Sequence, residues 1–213
     1  MPETSSALAE QFDEMPQQQE AATLGMWTFL ATEILFFGAM FLGYLVNRHL
    51  HPQAFAAASE HTIVLFGTLN TAILLTSSLT MALAVRAAQS GDQKWISRFL
   101  IFTVLLAIGF LVVKGLEYRD DLREHLWPGP HFRTDLPREA QIFWFLYWAM
   151  TGLHALHVII GIGLISVMAW MASRGKFSPA YHTPVEVTGL YWHFVDIVWI
   201  FLYPLLYLIH RSA

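Results

Sequence analysis

The sequence contains no cysteine, which excludes disulfides, thiolate chemistry, cysteine-ligated zinc and iron–sulfur clusters. Charge is scarce too. Only 13% of the 213 residues are Asp, Glu, Lys or Arg, where a soluble domain carries about 25%. Fully 55% are hydrophobic and the mean hydropathy is +0.47. Such a chain must leave much of its surface apolar, which is tolerable in lipid and a liability in water. The net charge of −4 gives no support to nucleic acid binding. Basic residues are missing from the first 22 positions, which carry Glu3, Glu10, Asp13, Glu14 and Glu20. A cleaved signal would open basic, so residues 1–22 read as an acidic, solvated and partly helical tail.

In place of charge the sequence has long apolar runs. About 20 apolar residues cross roughly 30 Å of hydrocarbon as a helix. Five runs qualify, at about 23–47, 62–87, 96–118, 140–173 and 185–210. The first is interrupted only by Glu33 and ends at Arg48, His49 and Pro52. The third carries Lys114 and Glu117 in its last turns. The fourth has no Asp, Glu, Lys or Arg and exceeds what a bilayer requires, so it is expected to tilt or project. The fifth holds His193, Asp196 and Pro204. Membrane strands would show alternating segments of about ten residues, and none occur. In lipid a helix pairs its amides within one segment. The predicted fold is all-α: a polytopic membrane protein, a five-transmembrane-helix bundle over residues 23–211, without an internal repeat.

Basic residues do not settle orientation. With the N-terminus cytoplasmic, inner segments hold Arg86, Lys94, Arg98, Arg174 and Lys176. Outer segments hold Arg48, Lys114, Arg119, Arg123, Arg133, Arg138 and Arg211. The balance leans toward the opposite topology, but the outer excess sits in one acid- and proline-rich loop, 119–138.

Residues that cost free energy in lipid are the candidate functional set. Glu33 and Asp196 each fall near the middle of a span and at similar depth, because the first and fifth helices share a direction. A carboxylate there costs a few kcal/mol on insertion scales, so it must be neutral, paired or facing a cavity. A proton relay, a polar anchor for a partner or lipid, and a protonated interhelical hydrogen bond all fit. His154 and His157, at i and i+3, share a helix face. Haem ligation would need a second histidine at matching depth. His193 matches poorly, which favours interhelical hydrogen bonding to Glu33, Ser or Thr. Gly152, Gly161 and Gly163 are expected to admit close neighbours, and Asn70, Thr71, Thr76, Ser77 and Ser78 to pack the second span. Tyr191-Trp192, Phe143-Trp144 and Tyr147-Trp148 read as interfacial anchors. Arg174, Lys176 and His182 form a short basic loop, either solvated or holding a lipid phosphate.

The segment Tyr191-Trp192-His193-Phe194-Val195-Asp196-Ile197-Val198-Trp199-Ile200-Phe201-Leu202-Tyr203 closely resembles the last-helix signature of cytochrome oxidase subunit III. Met150-Thr151-Gly152-Leu153-His154-Ala155-Leu156-His157 resembles that family's histidine-bearing helix, and Thr32-Glu33-Ile34-Leu35-Phe36-Phe37 its buried-glutamate motif. Leu69-Asn70-Thr71-Ala72-Ile73-Leu74-Leu75 and Gly115-Leu116-Glu117-Tyr118 match its intervening helices. The resemblance covers all five spans in order. Seven-helix members carry two further N-terminal helices, so this chain resembles the short bacterial form.

The resemblance implies a subunit of a haem–copper terminal oxidase that binds no haem or copper of its own, those being expected in partner subunits. It implies packing on subunits I and II, phospholipid binding, support of proton uptake and protection of the catalytic subunit during turnover. It also implies a multi-pass bacterial inner membrane location with a cytoplasmic N-terminus. Glu33, His154, His157, His193, Asp196 and Glu117 would be the buried polar or proton-linked set. Arg174, Lys176, His182 and Glu186 would be the lipid-binding set. No residue is expected to be catalytic or metal-ligating. Alternatives are an accessory protein of a quinol oxidase or nitric oxide reductase, a haem b electron carrier using His154 or His157, and a transporter using Glu33 and Asp196. The missing inverted repeat weighs against a transporter.

Overall fold

The computed structural model describes residues 8–208, which form six helices and no strands. Five are long and apolar enough to cross a membrane: α1 (Met15–Leu50), α3 (Val64–Gln89), α4 (Gln93–Arg123), α5 (Ala140–Ser173) and α6 (Thr183–Tyr207). The sixth, α2 (Pro52–Ser59), is short.

Local chemistry sets the ends. Pro52 closes α1 and occupies the first turn of α2, where a missing amide hydrogen costs nothing. The ends of α3 and α5 use glycine at φ +75° (Gly91) and +68° (Gly175). At each end two amides fold back on the last turn. Asp92 N donates to Ala87 O and Gly91 N to Ala88 O; Lys176 N donates to Met171 O and Gly175 N to Ala172 O. This is the Schellman arrangement, and its left-handed residue favours glycine. Asp92 then caps α4 by accepting from Trp95 N at 3.3 Å. At 1.5 Å per residue the 34 residues of α5 extend about 51 Å, well beyond the hydrocarbon core.

The core sits around α6, where 56% of the membrane-crossing stretch is buried, against 17% in α1. That contrast decides what lipid must cover. The buried residues of α1 are Leu30, Phe37 and Tyr44, one every seven positions and therefore one narrow seam. The rest of its surface is large and apolar: Leu24, Trp27, Ile34, Leu35 and Leu42 are all more than half exposed. In water that face would drive association; in a bilayer it is solvated by acyl chains.

Apolar attraction between helices is weak in lipid, so packing and hydrogen bonds hold the bundle. Small residues line the buried face of α3 (Ser77, Thr80, Ala84, Ala88), and Thr80 bonds Thr103 of α4 at 2.7 Å. Between α3 and α6, Trp199 Nε1 donates to Thr71 and Trp192 Nε1 to Ser77, both at 3.1 Å. Ser78 pairs with His193 Nδ1 at 2.8 Å, and Thr68 with Tyr203 at 2.7 Å. Of the second span's polar residues expected to pack it, Thr71, Ser77 and Ser78 thus have partners on α6, whereas Thr76 bonds the Ala72 carbonyl of its own helix and neither amide atom of Asn70 has a partner among the described residues.

Two expectations need correction. Of the three glycines on the fourth span, only Gly161 meets a close neighbour, the Trp192 ring; Gly152 and Gly163 face open space. The stretch after the third span is not all loop either. Helix α4 continues through Arg119–Arg123. Beyond it Arg133 forks onto Asp135 at 2.6 and 2.7 Å and reaches Glu124 at 3.2 Å. The Arg133 hydrogen bonds hold the Asp135 carboxyl down to about 2.

Candidate functional site

The polar residues inside the bundle fall into four groups. The first lies at the α1–α5 contact. Glu33 Oε2 is 3.2 Å from His157 Nε2, with 19% and 12% of these side chains exposed. His157 Nδ1 lies 2.8 Å from the Leu153 carbonyl. A carbonyl only accepts, so Nδ1 carries a hydrogen. Nε2 must then either accept from a protonated Glu33 or, as imidazolium, donate to its carboxylate. In both forms the pair shares one additional proton. Phe37 packs edge-on to the His157 ring at 5.3 Å, and Tyr191 donates to the His157 carbonyl at 3.0 Å.

The second group is the bundle centre. His154 is 1% exposed and packs against Phe110 and Trp199, with centroids at 5.5 and 5.1 Å. His154 and His157 therefore enter different interfaces, although they are three residues apart. Among the described residues neither nitrogen of His154 and neither carboxyl oxygen of Asp196 has a hydrogen-bond partner. Asp196 is 3% exposed. Glu33 and Asp196 are not brought together: one faces α5 at the rim and the other faces α3 inside. Among those residues no group of three or more His, Asp or Glu side chains is arranged to hold a metal ion.

The third group is the largest polar network, and the sequence pointed only to its Glu117. Lys114, Glu117 and Asp121 are 2%, 0% and 3% exposed. Their spacing of three and four places them on one face of α4. Lys114 Nζ donates to Glu117 Oε2 (3.1 Å), Tyr147 Oη (2.9 Å) and Tyr207 Oη (2.7 Å). The rings of Tyr118, Tyr147, Trp199 and Tyr207 surround the ammonium at 4.5–5.8 Å, adding cation–π attraction. Tyr147 is therefore a buried hub and not an interfacial anchor. Tyr118 pairs with Thr151 at 2.7 Å. The network ties α4 to α5 and α6.

The fourth group lies where α1 and α6 begin. A cavity of about 430 Å³ is lined by Gln19, Glu20, Thr23, Trp27, His182 and Glu186. His182 Nε2 is 3.3 Å from Glu186, which also accepts from Gln89 at 2.7 Å. Trp27 also lines a second, apolar groove of about 360 Å³ between α1 and α6, with Leu30, Phe37, His193, Phe194 and Phe201. Arg174 and Lys176 are exposed and line neither space; Arg174 lies 5.3 Å over the Trp170 ring.

A multi-pass α-helical membrane bundle, with acid–histidine pairs at its rim and a charged cluster buried inside, is the class of protein these features define. The family of cytochrome c oxidase subunit III matches residues 10–210. A cytochrome c oxidase subunit 3 of Thermostichus vulcanus is 33% identical over 93% of this chain and 92% of its own length. That of Corynebacterium diphtheriae is 32% identical over 88% and 87%. That of Synechocystis is 30% identical over 87% of this chain and 74% of the relative, which is longer. The chain belongs to the cytochrome c oxidase subunit III family.

Proposed function

We propose that this chain is the cofactor-free third core subunit of a haem–copper terminal oxidase in a bacterial plasma membrane, with its N-terminus cytoplasmic. It docks on the catalytic subunit and beside subunit II, binds phospholipid, and supports proton uptake and turnover lifetime of the catalytic subunit. Haem and copper belong to those partners. The observation that carries the reading is the Glu33–His157 pair: a partly exposed acid, sharing a proton, set in an otherwise apolar helix wall.

A phospholipid suits the α1–α6 spaces. The polar cavity takes a headgroup near His182 and Glu186, and the adjoining groove takes an acyl chain. Arg174 and Lys176 then act from outside as solvated cations near the membrane surface.

Glu33→Gln is expected to assemble, because an amide keeps hydrogen-bonding capacity toward His157, while losing the shared proton. Glu33→Ala is expected to lower retained phospholipid or proton uptake further. Lipid mass spectrometry and turnover lifetime of the purified complex report both effects. Wild-type behaviour in both variants would reduce Glu33 to a packing residue.

A further inference from the structure

The loop end of α4 places one cation and two carboxyls in a space closed to water. The three hydrogens of the Lys114 ammonium go to Glu117, Tyr147 and Tyr207. Tyr207 gives its own hydrogen to Glu117 Oε1 at 2.6 Å. Tyr147 Oη stands 2.9 Å from Glu117 Oε1 and 2.9 Å from Asp121 Oδ2. A phenol has one hydrogen for these two contacts. With both carboxyls ionised, one of them would press a bare oxygen on the Tyr147 oxygen without a hydrogen between them.

We propose that Asp121 is a proton-binding site, holding a proton that it donates to Tyr147 Oη. The count then closes. Asp121 donates to Tyr147, Tyr147 donates to Glu117, and Glu117 receives Tyr147 and Tyr207 on one oxygen and Lys114 on the other. Charge closes as well, with one ammonium against one carboxylate. Placing the proton on Glu117 instead would neutralise the carboxyl that Lys114 and Tyr207 both serve and leave Asp121 ionised with one phenol. The groups facing Asp121 are Lys114, Glu117, Tyr118 and the nearby Glu124 from the α4 segment, Tyr147 from α5 and Tyr207 from α6. Lys114 is the one cation among them. Loss of the proton leaves the cluster with a net negative charge and loosens the tie between α4 and α5. This site does not depend on the oxidase role proposed above.

Infrared spectroscopy of the purified membrane complex tests it, comparing wild type with Asp121→Asn near neutral pH in H2O and D2O. The difference spectrum is expected to show the carbonyl stretch of a protonated carboxylic acid, shifted in D2O and still present in Asp196→Asn. Loss of carboxylate stretches in its place would overturn the proposal. The Asn amide can donate to Tyr147 as the protonated acid does, so Asp121→Asn is expected to assemble at wild-type yield. Its failure to assemble would also overturn the proposal, because the fold would then need an ionised acceptor at 121.

Discussion

Lys114→Met is expected to cause the largest loss of any single substitution in this chain, seen as collapse of folded protein in the membrane. The side chain is fully buried among Glu117, Tyr147 and Tyr207. Methionine fills similar volume, so lost packing is a minor part of the effect. The damage comes from Glu117, which keeps its position with no cation beside it. Breaking a buried pair on one side costs about 3–5 kcal/mol, a large share of the stability of any single domain. Lys114→Met combined with Glu117→Gln removes both charges and is expected to recover most of the loss. Thermal unfolding of the detergent-purified complex measures both. A double variant as unstable as the single one would show that the hydrogen bonds matter more than the stranded charge.

Gly161→Ala is expected to be the second most damaging change. A Cβ at 161 would lie 2.6 and 2.8 Å from two Trp192 ring atoms. The ring cannot swing aside cheaply, because its Nε1 is bonded to Ser77 inside the bundle. Overpacking of this kind costs about 1–3 kcal/mol, here by prising α5 from α6. Gly152→Ala and Gly163→Ala add a Cβ where nothing lies within 4 Å. They are expected to be neutral or to gain up to about 1 kcal/mol from helix propensity. Melting temperatures of the three variants, measured side by side, separate packing at one glycine from a general sensitivity of α5.

The five spans were legible because length and hydropathy alone decide whether a helix can cross a bilayer. The short helix α2 was not, because eight residues carry no bilayer-scale signal. It is held by Phe55, which packs edge-on to Phe143 at 5.5 Å, a contact only the fold creates. The charged stretch Arg119-Asp120-Asp121-Leu122-Arg123 read as loop because charge marks water. Asp121 is nevertheless inside, 3% exposed and 2.9 Å from the Tyr147 hydroxyl. Tyr147 read as an interfacial anchor from its place near a helix start, whereas the 34-residue length of α5 carries it into the core. The spacing of Lys114, Glu117 and Asp121 on one helical face was the available signal for the cluster. The Glu33–His157 pair was foreseen as one of several partnerships. The isolation of His154 and Asp196 was not, since sequence gives no measure of which interface a side chain enters.

The most direct measurement is purification of this chain, tagged, from native membranes in mild detergent. The optical spectrum and metal content would be read on the intact complex and again on the chain after separation. The expected result is a complex whose largest polypeptide carries haem and copper, while the separated chain shows no Soret absorbance. A Soret band or bound copper on the separated chain, or its recovery without any haem-bearing partner, would contradict its assignment as a cofactor-free oxidase subunit.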